Sequence, residues 1–207
     1  ASGVNGITIN ADNVTLDLNG YSVSSAFTTG IGIQIGSGIT GVVIRNGIIN
    51  GFMSGVTMSG STVNVLVENL LIRNAKSTGI NIASNLTKMV RIRGCTICNT
   101  GSTTTSADAS LNVTGLAING GMCVIEDCAV LRTINNSSGS PTVFGVTFGA
   151  GVGNSMARCS IMNEVLVTGT GVNFSPFVAS CTYRDNTVVN FNTKYAGTGG
   201  VDAGGNV

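Results

Sequence analysis

A short glycine-led motif recurs along this chain and constrains its fold more than any other feature. Glycine is followed by an aliphatic residue, one free position and a second large apolar residue, beginning at Gly6, Gly32, Gly55, Gly79, Gly115, Gly145 and Gly171, with a degraded copy at Gly200. Between the copies lies a second segment, at 16–23, 42–49, 65–72, 90–97, 123–130, 154–161 and 181–188. Stacked without gaps, these place Val23, Ile49, Ile72, Ile97, Val130, Ile161 and Val188 in one column and Leu18, Ile44, Val67, Ile92, Ile125, Met156 and Tyr183 in another. The apolar period is two, which predicts strands. A self-similar unit of roughly 23 to 33 residues, made of short strands and glycine-rich turns, predicts a solenoid whose coils bury one continuous core. All seven residues of the first column are expected inside it.

Composition agrees and excludes several functions. The 207 residues fit one domain, 1–207, and only 9% are charged. A net charge of +1 and the lack of a basic cluster argue against a nucleic-acid partner. Membrane insertion is not expected either, because no apolar run approaches the roughly 20 residues that span a bilayer. The chain has six cysteines and no histidine. Cys95, Cys128 and Cys159 share a column on consecutive coils and read as small core hydrophobes. Strands about 4.8 Å apart leave a bridge between neighbours such as Cys128 and Cys159 open beside a thiol ladder. The Cys95–Cys98 spacing imitates a metal knuckle, but with no second pair no metal is expected, and no cofactor.

The stretch 12–23, Asp-Asn-Val-Thr-Leu-Asp-Leu-Asn-Gly-Tyr-Ser-Val, resembles the first coil of right-handed parallel β-helix repeat proteins, the group that includes pectate-lyase-like folds. The resemblance extends through the repeats and implies an all-β, single-domain right-handed parallel β-helix of about eight coils. For function it implies a wide range: secreted polysaccharide lyases and hydrolases, phage tailspikes, adhesins and surface proteins.

Polar residues also fall into rows. Asn74, Asn99, Asn163 and Asn190 share a turn position, where stacked amides can bond along the axis and tolerate a left-handed backbone. Arg45, Glu68, Arg93 and Glu126 alternate in sign on successive coils, and Asp127, Arg158 and Asp185 repeat the pattern one position later; outward charges so placed would pair across strands. An exposed, screened Arg93 would cost about 1 kcal/mol on change to Glu. Thr8, Gln34, Thr57, Asn81, Ala117, Thr147 and Asn173 form a further outward row. Extra length follows Cys98 and Leu131, on the same side of the solenoid, where a scaffold places recognition loops.

Enzymes of the resembling group need paired carboxylates, calcium-binding acids or a base beside a uronate. The best constellation here is Glu126 and Asp127 with Arg93 and Arg158. It lacks the adjacent Asp pair and the histidine of pectinases. The ends suggest another role: no helix precedes Gly6 and no charged closure follows Gly200, so Ile7, Ile9, Val201 and Val207 are candidates for joining coil to coil between subunits. The leading expectation is therefore a non-catalytic extracellular or cell-surface solenoid that stacks head-to-tail on itself into a fibre or layer. The alternative is a carbohydrate-active β-helix, whether lyase, hydrolase or glycan binder.

Overall fold

A computed structural model describes residues 3–26, 29–108, 110–138, 142–175 and 180–207. They form a parallel β-solenoid of about seven turns with essentially no helix. Three strand columns make its faces. The first carries the glycine motif: β1 (Ile7–Ile9), β4 (Ile31–Ile35), β6 (Ser54–Met58), β8 (Thr78–Ile82), β11 (Val113–Ile118), β14 (Val143–Phe148) and the C-terminal parts of β16 (Ser160–Phe174) and β18 (Thr187–Gly197). The second holds β2 (Thr15–Asp17), the N-terminal parts of β5 (Thr40–Asn50) and β7 (Val63–Arg73), β9 (Lys88–Arg93), β12 (Val124–Glu126), β15 (Ser155–Ala157), β17 (Cys181–Arg184) and β19 (Gly200–Asp202). The third holds β3 (Ser22–Ser24), the remaining halves of β5 and β7, β10 (Thr96–Cys98), β13 (Ala129–Leu131) and the starts of β16 and β18.

The Ile97 column is in register from coil to coil: Val23 faces Ile49, Ile49 faces Ile72, Ile72 faces Ile97, and so on through Val130 and Ile161 to Val188. All are buried except Val23, which is half-buried because its described neighbour lies on one side only. This column explains the glycines. A methyl group on Gly79 would lie 2.4 Å from Ile97 Cγ2 and 2.5 Å from the Gly115 carbonyl, and Gly32, Gly55, Gly115, Gly145 and Gly171 meet the same pair of obstacles. None of these six has a positive φ, so what the fold requires there is space. Each isoleucine or valine fills the hole that a missing side chain leaves on the opposite face.

The structure corrects two registers. Leu16, not Leu18, pairs with Ile44, because Asn19 and Gly20 both turn left-handed and lengthen the first coil's corner. Leu18 instead lies where a methyl on Gly47 would overlap it. At the other end Gly200 faces Cys181 on the second column, so it is not an eighth copy of the motif. The eighth pass along the glycine face is Thr193–Gly197, with Lys194 between the partners of Thr170 and Val172. The interior closes there with stacked rings, Phe148 on Phe174, Phe174 on Tyr183 and Tyr183 on Tyr195, at 5.5, 4.9 and 5.1 Å between centroids.

All six cysteines are free. Cys95, Cys128 and Cys159 line the core, and a shared hydrogen bond with the Cys128 thiol together with burial pushes Cys95 and Cys159 up. Burial pushes Cys123 and Cys181 up to about 12. Between these two sits buried Asn154, whose Oδ1 accepts the Cys123 N–H at 2.9 Å while its Nδ2 donates to the Gly120 carbonyl at 3.0 Å. Asn186 repeats this against Cys159 and Met156. Cys95 faces the core and Cys98 lies past it at the strand end, half-exposed, so the two do not form one site.

Candidate functional site

The charged rows settle into ion pairs along the axis. Arg45 faces Glu68, Glu68 faces Arg93 and Arg93 faces Glu126, as the alternation predicts. The contacts are selective, however. Arg93 binds Glu68 at 2.6 Å, Arg45 turns the other way to Asp17 at 2.9 Å, and Glu126 is held by Arg91 at 3.0 Å and Arg158 at 3.8 Å. The Glu68 side chain is only 9% exposed. Arg93→Glu would leave that carboxylate facing a like charge with little water, so its expected cost rises to about 2 kcal/mol.

Asp127, Arg158 and Asp185 stand at a corner where every coil turns left-handed, with φ of 54° at all three and 58°, 53° and 59° at Asn46, Asn69 and Gly94. This row was legible as asparagine, glycine and aspartate, residues that tolerate positive φ, and Arg158 hid it. Arg158 grips Asp127 through Nε and Nη2 at 2.7 and 3.0 Å, which holds the Asp127 carboxyl below its usual range. Among the four residues of the catalytic constellation, Arg93 therefore belongs to Glu68, while Glu126 and Asp127 share Arg158. Every carboxylate in it already has a cation.

The asparagine row does not form a ladder of amides. Asn74 donates to Asn50 Oδ1 at 2.8 Å, Asn99 Oδ1 accepts from Arg132 Nη1 at 3.1 Å, and the Asn190 amide donates to the Asn163 backbone carbonyl at 2.7 Å. Asn74, Asn99, Arg132 and Asn190 occupy a left-handed turn, with φ between 55° and 61°. Asn163 does not, although β18, like β16, runs on through this corner and keeps Asn190 left-handed. Met162 faces Val189 and Val167 faces Phe191, so residues 163–166 bulge opposite Asn190. The Asn163 residue is 6% exposed, and neither its Nδ2 nor its Oδ1 has a hydrogen-bond partner among the described residues. Burying an unpaired amide atom costs about 1–3 kcal/mol, so this position is unusual.

A cavity of about 560 Å³ opens there. One wall is the segment 134–137, which stacks on the preceding long loop: Ile134 N–H donates to the Thr100 carbonyl, Asn135 Nδ2 to that of Leu111 at 2.8 Å, and Asn136 Nδ2 to that of Ser102 at 2.9 Å. The lower loop is itself tied down by Lys76–Asp108 at 2.9 Å. The opposite wall is the β16 bulge, which exposes Val165 and Leu166. Ile134, Val143, Val165 and Val167 supply aliphatic surface, and Ser137, Asn163, Arg132 and Glu164 supply polar groups. Arg132 Nε reaches Glu164 at 3.4 Å, at side-chain exposures of 40% and 76%. A smaller cleft of about 360 Å³ shares Arg132, Asn163 and Glu164 and continues past Asn99 and Cys98. Together they make a groove along the side where the extra length was expected to carry recognition; residues 139–141 of that loop lie outside the described residues.

The other predicted rows are in place. Thr8 faces Gln34, and the row continues in register to Asn173, but Thr57 within it is buried. Of the end residues, Ile9 is buried and Ile7 half-buried, while Val201 and Val207 are exposed. The last residues fold onto the final turn, where Asn206 Oδ1 accepts from Asn186 N–H and Nδ2, both at 3.0 Å. No family model, no curated protein and no solved structure matches the chain, so its likeness to parallel β-helix repeat proteins is one of coil architecture, with no specific member.

Proposed function

We propose that this solenoid is a non-catalytic glycan-binding protein, acting outside the cell or at its surface, with the groove between the 134–137 segment and the β16 bulge as its site. The observation that carries this reading is the groove itself, an open cavity of about 560 Å³ in which Ile134, Val165 and Val167 lie beside the Arg132–Glu164 ion pair. A sugar presents hydroxyls that both donate and accept, which suits the exposed Arg132–Glu164 ion pair. Aliphatic residues beside it suit the apolar faces of a pyranose ring. The absence of chemistry is supported by the carboxylates of the charged rows, each of which is engaged by arginine. Titration of a panel of neutral and acidic oligosaccharides, followed by amide chemical shifts, tests the reading. Shifts confined to the groove with no product released support it. Cleavage of any glycan would replace it with the lyase or hydrolase alternative.

Axial self-association is the second reading, favoured by the edge of β1, which pairs with β4 alone among the described strands, and by exposed Val201 and Val207. A further coil, from a longer chain or from a second copy, would pair there. Sedimentation at rising concentration tests the copy. Ile7→Lys is the cleaner probe than a change at Ile9, because Ile9 belongs to the core.

A further inference from the structure

We infer that Met89 and Met122 form a modification site, a pair of surface thioethers that takes oxygen from two-electron oxidants such as hydrogen peroxide while the core is spared. The pair stands at the corner between the first and second strand columns, away from the groove. In register from coil to coil, that corner reads Asn13, Gly41, Asn64, Met89, Met122, Gly153 and Ser180. Each has a φ between 52° and 72°. Asparagine and glycine suit such a turn, and methionine tolerates it poorly. The turn therefore does not account for methionine on two successive coils. What the corner supplies is access. Met89 is 50% and Met122 45% exposed, whereas Met58 and Met156 are closed in the core and Met53 and Met162 are half-buried. Neither corner methionine belongs to the core cluster. The backbone there is held by its own bonds: Met89 N–H donates to the Gly121 carbonyl at 3.2 Å and Met122 N–H to that of Val152 at 2.8 Å. An oxygen on either sulfur would stand in solvent, beside exposed Leu86 and Val152, and so would bury no polar atom. The step balances with peroxide alone: one peroxide oxygen bonds to sulfur as the O–O bond breaks, sulfur gives up two electrons, and the other oxygen leaves as water with both hydrogens.

The test treats the whole chain with hydrogen peroxide at about pH 5, where thiols are protonated and react slowly, and follows sulfoxide on each methionine by peptide mass spectrometry. Met89 and Met122 should oxidise at least about tenfold faster than Met58 and Met156, whose reaction waits on opening of the core. They should also precede Met53 and Met162. The chain oxidised at the pair alone should keep a cooperative melt within about 2 °C of the parent's, as a change confined to the surface does. Met89→Asn combined with Met122→Asn should melt no lower than the parent, since asparagine suits the turn. Equal rates at all six methionines, or Met53 or Met162 leading, overturns the inference. So does a melt that collapses once the pair is oxidised, or a lower melt in the asparagine variant. Either would show that the two side chains hold the corner together instead of reacting from it.

Discussion

Asn99 and Asn163 occupy the same column, yet they do opposite things. At Asn99 the chain turns left-handed and the side chain spends its oxygen on Arg132. At Asn163 the strand continues, four residues loop out, and the amide is buried with nothing to bind. The regular coils thus use asparagine to turn a corner at low cost, and the irregular coil uses the same residue to line a groove. The lesson is that a repeat row marks a position in space, and the local backbone decides whether the side chain there is paired or left without a partner.

The contrast can be broken first in the regular stack. Ile97→Asp puts a charge into a column with no route to water, and a loss above about 5 kcal/mol, seen as an unfolded chain by circular dichroism, is expected. Survival of a cooperative fold would mean that the column is not closed. Gly79→Ala should cost about 2–3 kcal/mol in urea titrations, since the new methyl meets Ile97 and the Gly115 carbonyl. Ile97→Ala, which lacks the Cγ2 atom, should couple favourably to Gly79→Ala in a double-mutant cycle only if the side chain is the obstacle; no coupling would place the clash on the carbonyl.

The corner itself gives smaller effects of opposite sign. Asn163→Leu should raise stability by about 1–2 kcal/mol, because it removes an unsatisfied buried amide. Asn99→Leu should lower it by about 1 kcal/mol, because leucine tolerates positive φ poorly. Two changes of the same sign in matched thermal melts would erase the distinction between turn and groove. The last effect expected concerns pH. Burial raises the folded values of Cys123 and Cys181 from the ordinary thiol range to about 12. Their stabilisation is complete well below about pH 8.5 and is lost as pH rises toward the folded value, about 2 kcal/mol per thiol by pH 10. Replacing both by valine, the residue of neighbouring coils in that column, should flatten the melting temperature between pH 8 and 10. An unchanged slope would assign the alkaline loss to other groups.

Much of the architecture is legible because in-register stacking turns sequence repetition directly into spatial neighbours. The Ile97 column, the glycine row and the sign alternation from Arg45 to Glu126 are all visible this way. Leu18 was misplaced because a gap-free alignment cannot show that Asn19 and Gly20 together widen a turn. Gly200 looked like a degraded motif copy because Val201 follows it as the aliphatic residue, although its strand partner is Cys181.

The groove was legible only as a side of the solenoid. That the segments after Cys98 and Leu131 project together follows from repeat length alone. That Arg132 is caught between Asn99 and Glu164, and that Asn163 is buried without a partner, depends on the bulge in β16. Periodicity determines the coil, its core columns and its glycine pockets, since those depend on nearest-neighbour stacking that every repeat must satisfy. Which carboxylate each arginine takes, and which asparagine goes unpaired, was decided only by the tertiary structure, because side-chain reach and local backbone irregularity are not periodic and so leave no trace in the repeat.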